Sequence, residues 1–259
     1  MQNNGKKLNN IMLTLMYDGT YYKGWQRRKD ELDCKSTIQG LLEATLSEIL
    51  MESIHVIGSG RTDSGVHALQ QVCNFHTVRS FSVEKIQKEM NLSLPMDIRV
   101  LTATRALPDF HARYDAISKV YEYRIDTRER ENVFTRKYTY PNYGDLNIEH
   151  MIKAAKHLIG THDFKAFSTD RKDGKSTVRT IHDIKIYRVV DKNRSEVRIE
   201  CSGNGFLHHM IRIIVGTLVE VGKGKRTIDS VSEALLSKER CNAGELIYPQ
   251  GLFLKQVNY

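Results

Sequence analysis

The stretch ISKVYEYRID, residues 117–126, places Tyr121, Tyr123 and Ile125 in alternation with charged side chains. Alternation with a period of two predicts a half-buried β-strand. This strand is central to the fold prediction because the same order of helices and strands is predicted on both sides of its start.

Before residue 117, alternating segments and segments of helical periodicity give the order β-α-β-β-α-β. Ser82 is a helix N-cap candidate, and Pro95 lies beyond the end of the helix that Ser82 begins. The predicted strands are 11–17, 54–57, 69–77 and 97–106, and the predicted helices are 37–50 and 82–94.

From residue 117 onwards the same order is predicted again. Asn147 caps a helix that ends at Gly160, a typical helix C-cap residue. The predicted strands are 117–126, 178–190, 196–201 and 252–257, and the further helices are 206–221 and 228–236.

A β-α-β-β-α-β order is the split, ferredoxin-like unit. Its double occurrence predicts an α+β fold of two ferredoxin-like halves whose sheets join around a central cleft. The expected boundaries are a flexible N-terminus at 1–10, an N-terminal half at 11–110 that carries the candidate catalytic aspartate, and a C-terminal half at 111–259.

The composition favours a polyanionic partner. The 259 residues contain 39 Lys and Arg against 31 Asp and Glu, which gives a net charge of +8. The pI of about 9.2 only just passes the value that marks a basic nucleic-acid-binding domain. An ordinary enzyme that happens to be basic is therefore the alternative.

Several classes of protein are excluded. The four cysteines are far apart, so neither a zinc knuckle nor a redox pair is predicted. No apolar run approaches the about 20 residues that span a bilayer, and no signal peptide is visible, so we expect a cytoplasmic protein. Adjacent residues on a helix point about 100° apart, so we expect no two-histidine metal site at His208 and His209.

The segment GSGRTDSGVH, residues 58–67, is the densest candidate site. It does not match a dinucleotide fingerprint, since Asp63 replaces the third glycine, and it does not match a Walker A loop, since no lysine follows Gly65. The simplest alternative is a glycine-rich turn. However, an aspartate beside Arg61 stays ionised, and such a carboxylate suits either stabilising positive charge on a sugar ring or attacking it.

The segment GRTDSGVHA, residues 60–68, closely resembles the signature of the TruA family of RNA pseudouridine synthases. Further blocks resemble that family in the same order, from about Met12 to Tyr259. These blocks are YDGTYYKGWQ (17–26), QV (71–72) with Phe75, Asn91 with LPMDI (94–98), FHAR (110–113), KVYEY (119–123), GTHDF (160–164), GFLHHM (205–210), RIIVG (212–216) and GLFL (251–254).

The resemblance implies a role for each matching residue. Asp63 is the catalytic carboxylate, Tyr121 stacks on the target uracil, Arg212 is the basic partner of the aspartate, and Arg61 helps to extrude the target base. It also implies two ferredoxin-like halves sharing one cleft, a homodimer, and no cofactor or metal. Without it, Tyr121 would be read as a core aromatic residue. Arg212 would be read as a surface arginine, but its neighbours Ile211, Ile213 and Ile214 indicate burial, and a buried arginine needs an acidic partner.

The function expected from the resemblance is isomerisation of uridine to pseudouridine in the tRNA anticodon arm, at positions 38–40. Two alternatives stay open: a paralogue that modifies ribosomal RNA, and a catalytically silent RNA-binding protein. The first has support from departures from the family pattern, namely Ser64, YPQG at 248–251, and a longer segment at 27–35.

Clustered basic residues are candidates for contacts to RNA phosphates, with solvated loops as the alternative. The four clusters are Lys23, Arg27, Arg28 and Lys29 around Trp25; Arg128, Arg130, Arg136 and Lys137; Arg171, Lys172, Lys175 and Arg179; and Lys223, Lys225 and Arg226.

Overall fold

The computed structural model describes residues 8–27, 34–128, 132–142, 144–169, 176–191 and 194–259. The chain divides into two compact units. The first unit ends at Ile117 and also includes Leu254–Tyr259, and the second unit is Ser118–Phe253.

The first unit has an antiparallel sheet with two helices. Strand β1 lies between β4 and β3, and β2 and β10 both lie beside β3. In this unit the elements are β1 (Asn9–Tyr17), α1 (Ile38–Leu50), β2 (Val56–Gly58), β3 (His67–Thr77), α2 (Val83–Ser93), β4 (Ile98–Arg105) and β10 (Leu252–Asn258), the last from Leu254 onwards.

The core of the first unit is built by alternation along β1. Leu13 is opposite Cys73 on β3 and Ala103 on β4, and it is fully buried. Helix α1 contributes Leu42 and Leu46, which are also fully buried. Burial of alternate strand residues against apolar helix faces is the expected source of stability for such a sheet.

Predicted helix caps are present where the sequence places them. The Ser82 side chain accepts a hydrogen bond from the Lys85 backbone N–H, and Asn147 accepts one from the His150 N–H. Each cap satisfies a backbone donor that has no partner within the helix. Gly160 has a φ of 111°, but the α-helix that Asn147 begins ends at Ala155 and continues as a 3₁₀ turn to Leu158.

The second unit has an antiparallel sheet in the order β5-β9-β8-β7, and a short strand, β6, pairs with β5 in parallel. Its elements are β5 (Ser118–Asp126), β6 (Tyr140–Pro141), α3 (Ile148–Ala155), β7 (Gly160–Asp163), β8 (Val178–Asp191), β9 (Arg194–Gly203), α4 (Met210–Gly222) and α5 (Ser230–Ser237). The sequence did not predict β6 and β7, because two and four residues are too short for a periodic signal.

Helix α4 starts four residues later than the prediction of a helix from residue 206. His209 precedes the helix with a φ of 62°, a left-handed conformation that a helix cannot contain. The Met210 N–H donates to the Leu207 carbonyl, so residues 207–210 form a turn. The apolar pattern that predicted the helix therefore begins in a turn, four residues before the helix itself.

The observed units differ from the predicted boundaries at 111–117 and at 254–259, both of which group with the first unit. Of the N-terminus predicted to be flexible, residues 1–7 lie outside the described residues, and Asn9 and Asn10 belong to β1, with Asn10 buried. Hydrogen bonds within that unit give the reason. The Ile117 N–H donates to the Asn258 carbonyl, and the Tyr259 hydroxyl donates to the Ala112 carbonyl. The end of the chain thus pairs with the segment that follows β4.

Both units are mixtures of helix and mostly antiparallel sheet, with more strand than helix. None of the helices in the described ranges has the length and apolar character needed to cross a bilayer.

Candidate active site

The loop between β2 and β3, residues 59–66, carries Arg61 and Asp63. Asp63 is half-buried and Arg61 is exposed. The Val66 N–H donates to the Asp63 carbonyl at 3.1 Å, which closes a tight turn. Gly65 in this turn has a φ of 77°, a conformation that favours glycine. The turn therefore presents Asp63 from a defined backbone position.

The segment 17–26 binds this loop through both backbone and side chains. The buried Tyr17 hydroxyl lies 2.8 Å from Thr62 Oγ1, and the Trp25 N–H donates to the Thr62 carbonyl at 3.0 Å. On the other side of Asp63, the Ser64 hydroxyl donates to the Tyr22 carbonyl at 3.1 Å. The neighbours of Asp63 on both sides are thus attached to one segment.

Close backbone packing explains two glycines of that segment. A Cβ atom on Gly19 would lie 1.9 Å from the Val66 carbonyl oxygen. A Cβ atom on Gly24 would lie 2.5 Å from the Thr62 carbonyl oxygen, and Gly24 has a φ of 94°. A side chain at either position would push the loop that carries Asp63 out of place.

Buried polar groups support the loop from the β3 side. The Ser59 hydroxyl donates to Gln71 Oε1 at 2.6 Å, and Gln71 Nε2 donates to the Gly60 carbonyl at 3.1 Å. His67 is buried, and the Gly19 N–H donates to its Nδ1 at 3.0 Å, so it is a structural histidine. Each of these hydrogen bonds restricts the conformations that the loop backbone can adopt.

Burial shifts the pKa values of Tyr17 and Tyr22, two of the tyrosines of segment 17–26. It raises the pKa of Tyr17 well above its usual range, although the hydrogen bond to Thr62 opposes the rise. Burial and a hydrogen bond to Asp97 raise the pKa of Tyr22 to about 12. Both phenols therefore stay protonated at neutral pH and serve as hydrogen-bonding groups.

In the second unit, Tyr121 lies on β5 and is only 8% exposed. The ring of Phe206, from the segment between β9 and α4, contacts it edge to face, with 5.3 Å between the centroids and an angle of 88° between the planes. This geometry is favourable for an aromatic pair and fixes the Tyr121 ring.

Arg212 lies in the first turn of α4 and is half-buried. Its Nε donates to the Ile247 carbonyl at 2.7 Å, which orients the guanidinium group. Burial raises the pKa of the neighbouring Tyr123, and the charge of Arg212 opposes that rise. The sequence predicted an acidic partner for Arg212, and the contact described here is with a backbone carbonyl.

His208 and His209 precede α4, so the helix-based argument about their directions was wrong. Their rings stack at 3.7 Å, and the Nδ1 atoms lie 3.0 Å and 2.7 Å from the Thr169 hydroxyl. His209 has a φ of 62°, so the two residues do not have the helical geometry on which that argument relied.

The four predicted basic clusters differ in the burial and ion pairing of their side chains. Trp25 is buried, so its ring is not an exposed surface for stacking. Arg128 is paired with Asp126, and Arg226 is paired with Glu220, so neither is a freely available cation. Lys223 and Lys225 line a cavity of about 320 Å³ in the second unit. Predicted members outside the described residues are Arg28, Lys29, Arg130, Arg171, Lys172 and Lys175.

The structure also shows supporting residues that the sequence analysis did not single out. Phe206 fixes Tyr121, and Thr62 connects Tyr17 to the loop of Asp63. Both lie inside motifs that the sequence analysis quoted. Their roles could not be predicted because each depends on a contact between segments far apart in the chain.

Comparison with known proteins gives consistent matches. A family model described as tRNA pseudouridine synthase matches residues 14–115 and 154–259. A protein of Clostridium tetani (strain Massachusetts / E88) named tRNA pseudouridine synthase A 2 is 44% identical over 250 residues, covering 96% of this chain and 98% of that protein. A protein of Thermoanaerobacter sp. (strain X514) named tRNA pseudouridine synthase A is 43% identical over 252 residues, covering 97% of this chain and 100% of that protein. A protein of Bacillus anthracis named tRNA pseudouridine synthase A 2 is 40% identical over 252 residues, with the same coverage.

Proposed function

The chain belongs to the tRNA pseudouridine synthase family, and from this premise we propose that it modifies uridines of the tRNA anticodon arm with Asp63 as the catalytic carboxylate. As a member of that family it is an RNA pseudouridine synthase, an isomerase. The named relatives support tRNA as the substrate.

The reaction breaks the N1–C1′ bond of uridine and forms a C5–C1′ bond. C5 loses a proton and N1 gains one, so the product is an isomer of uridine. A base inside a stacked RNA arm must first be flipped out, at a cost of a few kcal/mol that is lower for an unpaired loop. We propose that Asp63 then acts at the sugar, either by attacking C1′ or by taking a proton from C2′. Both routes need an ionised carboxylate in a fixed position.

The observation that carries this proposal is the attachment of the loop of Asp63 to segment 17–26 by hydrogen bonds. Tyr17 and Trp25 contact Thr62, and Ser64 contacts Tyr22, so both neighbours of Asp63 are tied to segment 17–26. A catalytic group that is positioned in advance avoids the entropic cost of ordering it during the reaction.

The local surroundings support the roles proposed for the other residues. Arg61 is exposed and so is accessible to RNA, in agreement with a role in base extrusion. Phe206 holds the Tyr121 ring edge to face, and because Tyr121 is only 8% exposed, its stacking on the target uracil stays a prediction. Arg212 has a guanidinium oriented by the Ile247 carbonyl, and its pairing with Asp63 stays a prediction.

We propose the ferredoxin-like description for each half. In the first unit the order β4-β1-β3-β2, with α1 before β2 and α2 before β4, supports it. In the second unit the order β5-β9-β8 agrees with the first, third and second strands of the same unit. A homodimer and a cytoplasmic location are part of the same proposal, and light scattering would test the former.

The test is release of tritium from RNA labelled at uridine C5, with tRNA and ribosomal RNA in separate reactions. We expect release from tRNA, and Asp63→Asn should abolish it while leaving tRNA binding within about twofold, since the substitution keeps the shape and removes the charge. Tyr121→Ala and Arg212→Ala should reduce the rate, and Arg212→Ala should also alter the pH–rate profile.

Three outcomes would contradict parts of the proposal. Release from ribosomal RNA alone would keep the chemistry and change the substrate. Turnover by Asp63→Asn near the wild-type rate would remove Asp63 from its role. Salt-sensitive RNA binding with no release from either RNA would leave the catalytically silent RNA-binding alternative.

A further inference from the structure

The segment that follows β4 in the first unit displays aromatic and basic side chains. Ala112 is completely buried, whereas Arg113 is exposed and Tyr114 is 75% exposed. Exposed tyrosines are common singly, so exposure alone carries no argument. Here the exposed side chains belong to a segment whose backbone is held in place by buried side chains.

Buried polar side chains fix this backbone. Asn74, which is fully buried, accepts from the Ala112 N–H at 3.0 Å, and its Nδ2 donates to the Phe110 carbonyl at 3.3 Å. Asn10 Nδ2 donates to the same carbonyl at 2.8 Å, and the Tyr259 hydroxyl donates to the Ala112 carbonyl at 2.7 Å. Buried polar groups are costly unless satisfied, and these are satisfied by the backbone of one exposed segment.

The exposed side chains are arranged relative to each other as well. The His111 ring stacks on the Tyr114 ring, with 4.2 Å between the centroids and 29° between the planes. The Arg113 and Tyr114 backbone N–H groups donate to His111 Nδ1, which fixes the imidazole. The Arg113 guanidinium carbon lies 5.8 Å from the Tyr114 centroid. We call His111, Arg113 and Tyr114 the Tyr114 platform.

We propose that the Tyr114 platform binds an unpaired base of the RNA substrate by stacking, with Arg113 beside the adjoining phosphate. This inference rests on the proposed function, because it takes RNA as the ligand. A fixed, exposed aromatic ring with a cation next to it matches the chemistry of a nucleobase joined to a phosphate. Stacking surfaces of this kind suit unpaired bases, which have an open face.

The experiment compares Tyr114→Phe, Tyr114→Leu and Tyr114→Ala, with Met96→Ala as the control. Met96 is 88% exposed in the same unit, so this control removes a large exposed side chain outside the platform. The equilibrium Kd for a tRNA transcript, and kcat and KM for tritium release, are measured for each, and circular dichroism checks folding. A fully paired RNA duplex serves as a second ligand.

We expect Tyr114→Ala and Tyr114→Leu to raise Kd and KM for tRNA by about 5- to 100-fold with kcat unchanged, and Tyr114→Phe to stay within about twofold. Leucine keeps the apolar area but has no π face, so it separates stacking from simple apolar contact. Binding of the duplex should not change in any variant. Met96→Ala should match the wild type.

The inference is overturned if Tyr114→Leu binds tRNA like Tyr114→Phe, or if Tyr114→Ala keeps wild-type affinity. It is also overturned if duplex and tRNA are weakened equally, since the platform would then not select unpaired bases. Failure of the proposed function would look different: the wild type would bind tRNA without releasing tritium, and the Kd series would still report on the platform.

Discussion

At the scale of single residues, Tyr17 and Tyr22 lie in one segment, but their hydroxyls contact different parts of the first unit. The Tyr17 hydroxyl lies 2.8 Å from Thr62 Oγ1, next to Asp63. The Tyr22 hydroxyl donates to Asp97 Oδ2 at 3.1 Å, just before β4. The Tyr17 phenol also has a side-chain hydrogen bond to Gln71, which supports the same loop, so the two tyrosines allow a controlled comparison between the loop and another part of the unit.

Tyr17→Phe should lower the free energy of unfolding by about 1–3 kcal/mol, because the buried Thr62 hydroxyl loses its partner. It should also lower kcat for pseudouridine formation, since Thr62 precedes Asp63 in the loop, with little change in KM. Urea unfolding and tritium release measure the two effects.

Tyr22→Phe is the matched control. It removes one phenolic hydrogen bond of the same segment without touching Thr62, so we expect a loss of stability with kcat near that of the wild type. Equal losses of kcat in both variants would show that Tyr17 acts on the whole unit rather than on the loop.

At the scale of elements, most helices and strands follow from local signals. Ser82 and Asn147 cap their helices as predicted, because a cap needs only a side chain and a backbone N–H three residues apart. The start of α4 does not follow from local signals. The apolar side chain of Phe206 that extended the predicted helix packs on Tyr121 instead.

The end of α1 offers a stability test. Met51 caps this helix with a φ of 50° and is 82% exposed. A left-handed conformation costs a side-chain-bearing residue about 1–2 kcal/mol, and glycine avoids that cost but loses more entropy on folding. Met51→Gly should therefore raise the free energy of unfolding by about 0.5–1 kcal/mol, as measured by urea unfolding.

Met96→Gly is the control for this test. Met96 is also exposed and lies in a turn, but its φ is not positive. Glycine there should leave stability unchanged or lower it. A gain of the same size in both variants would mean that loss of an exposed methionine, and not relief of backbone strain, is responsible.

At the scale of the whole molecule, several buried acidic groups determine the response to alkaline pH. Burial raises the pKa values of the Tyr17 and Tyr123 phenols and of the Cys73 and Cys201 thiols. In the unfolded chain these groups titrate near 10.0 and 9.0, while the folded protein keeps their protons. Above those values the unfolded state binds fewer protons, so stability falls as pH rises.

We therefore expect the free energy of unfolding to decline from about pH 9 upwards, with no contribution from these groups near neutral pH. Urea unfolding over a pH series measures the slope, and Tyr123→Phe should make it shallower by removing one titrating phenol. A stability that is level or rising across this range would contradict the prediction.

Local sequence patterns were enough to predict the caps, the long strands, the basic character and the motif that carries Arg61 and Asp63. These features depend on residues a few positions apart, where side-chain type and spacing dictate the backbone. Family membership follows from the motif order as well, because many spaced blocks constrain each other along the whole chain.

Contacts between distant segments decided the rest. Leu254–Tyr259 groups with the first unit because Asn258 and Tyr259 bond to Ile117 and Ala112. Trp25 is buried, and its ring lies so close to Gly58 of β2 that a Cβ atom there would lie 2.5 Å from it. Tertiary structure also decided the left-handed conformation of His209 before α4 and the burial of the asparagines that hold the backbone of the Tyr114 platform. None of these has a local signal, since each is stabilised by burial and hydrogen bonds that exist only once the chain has folded.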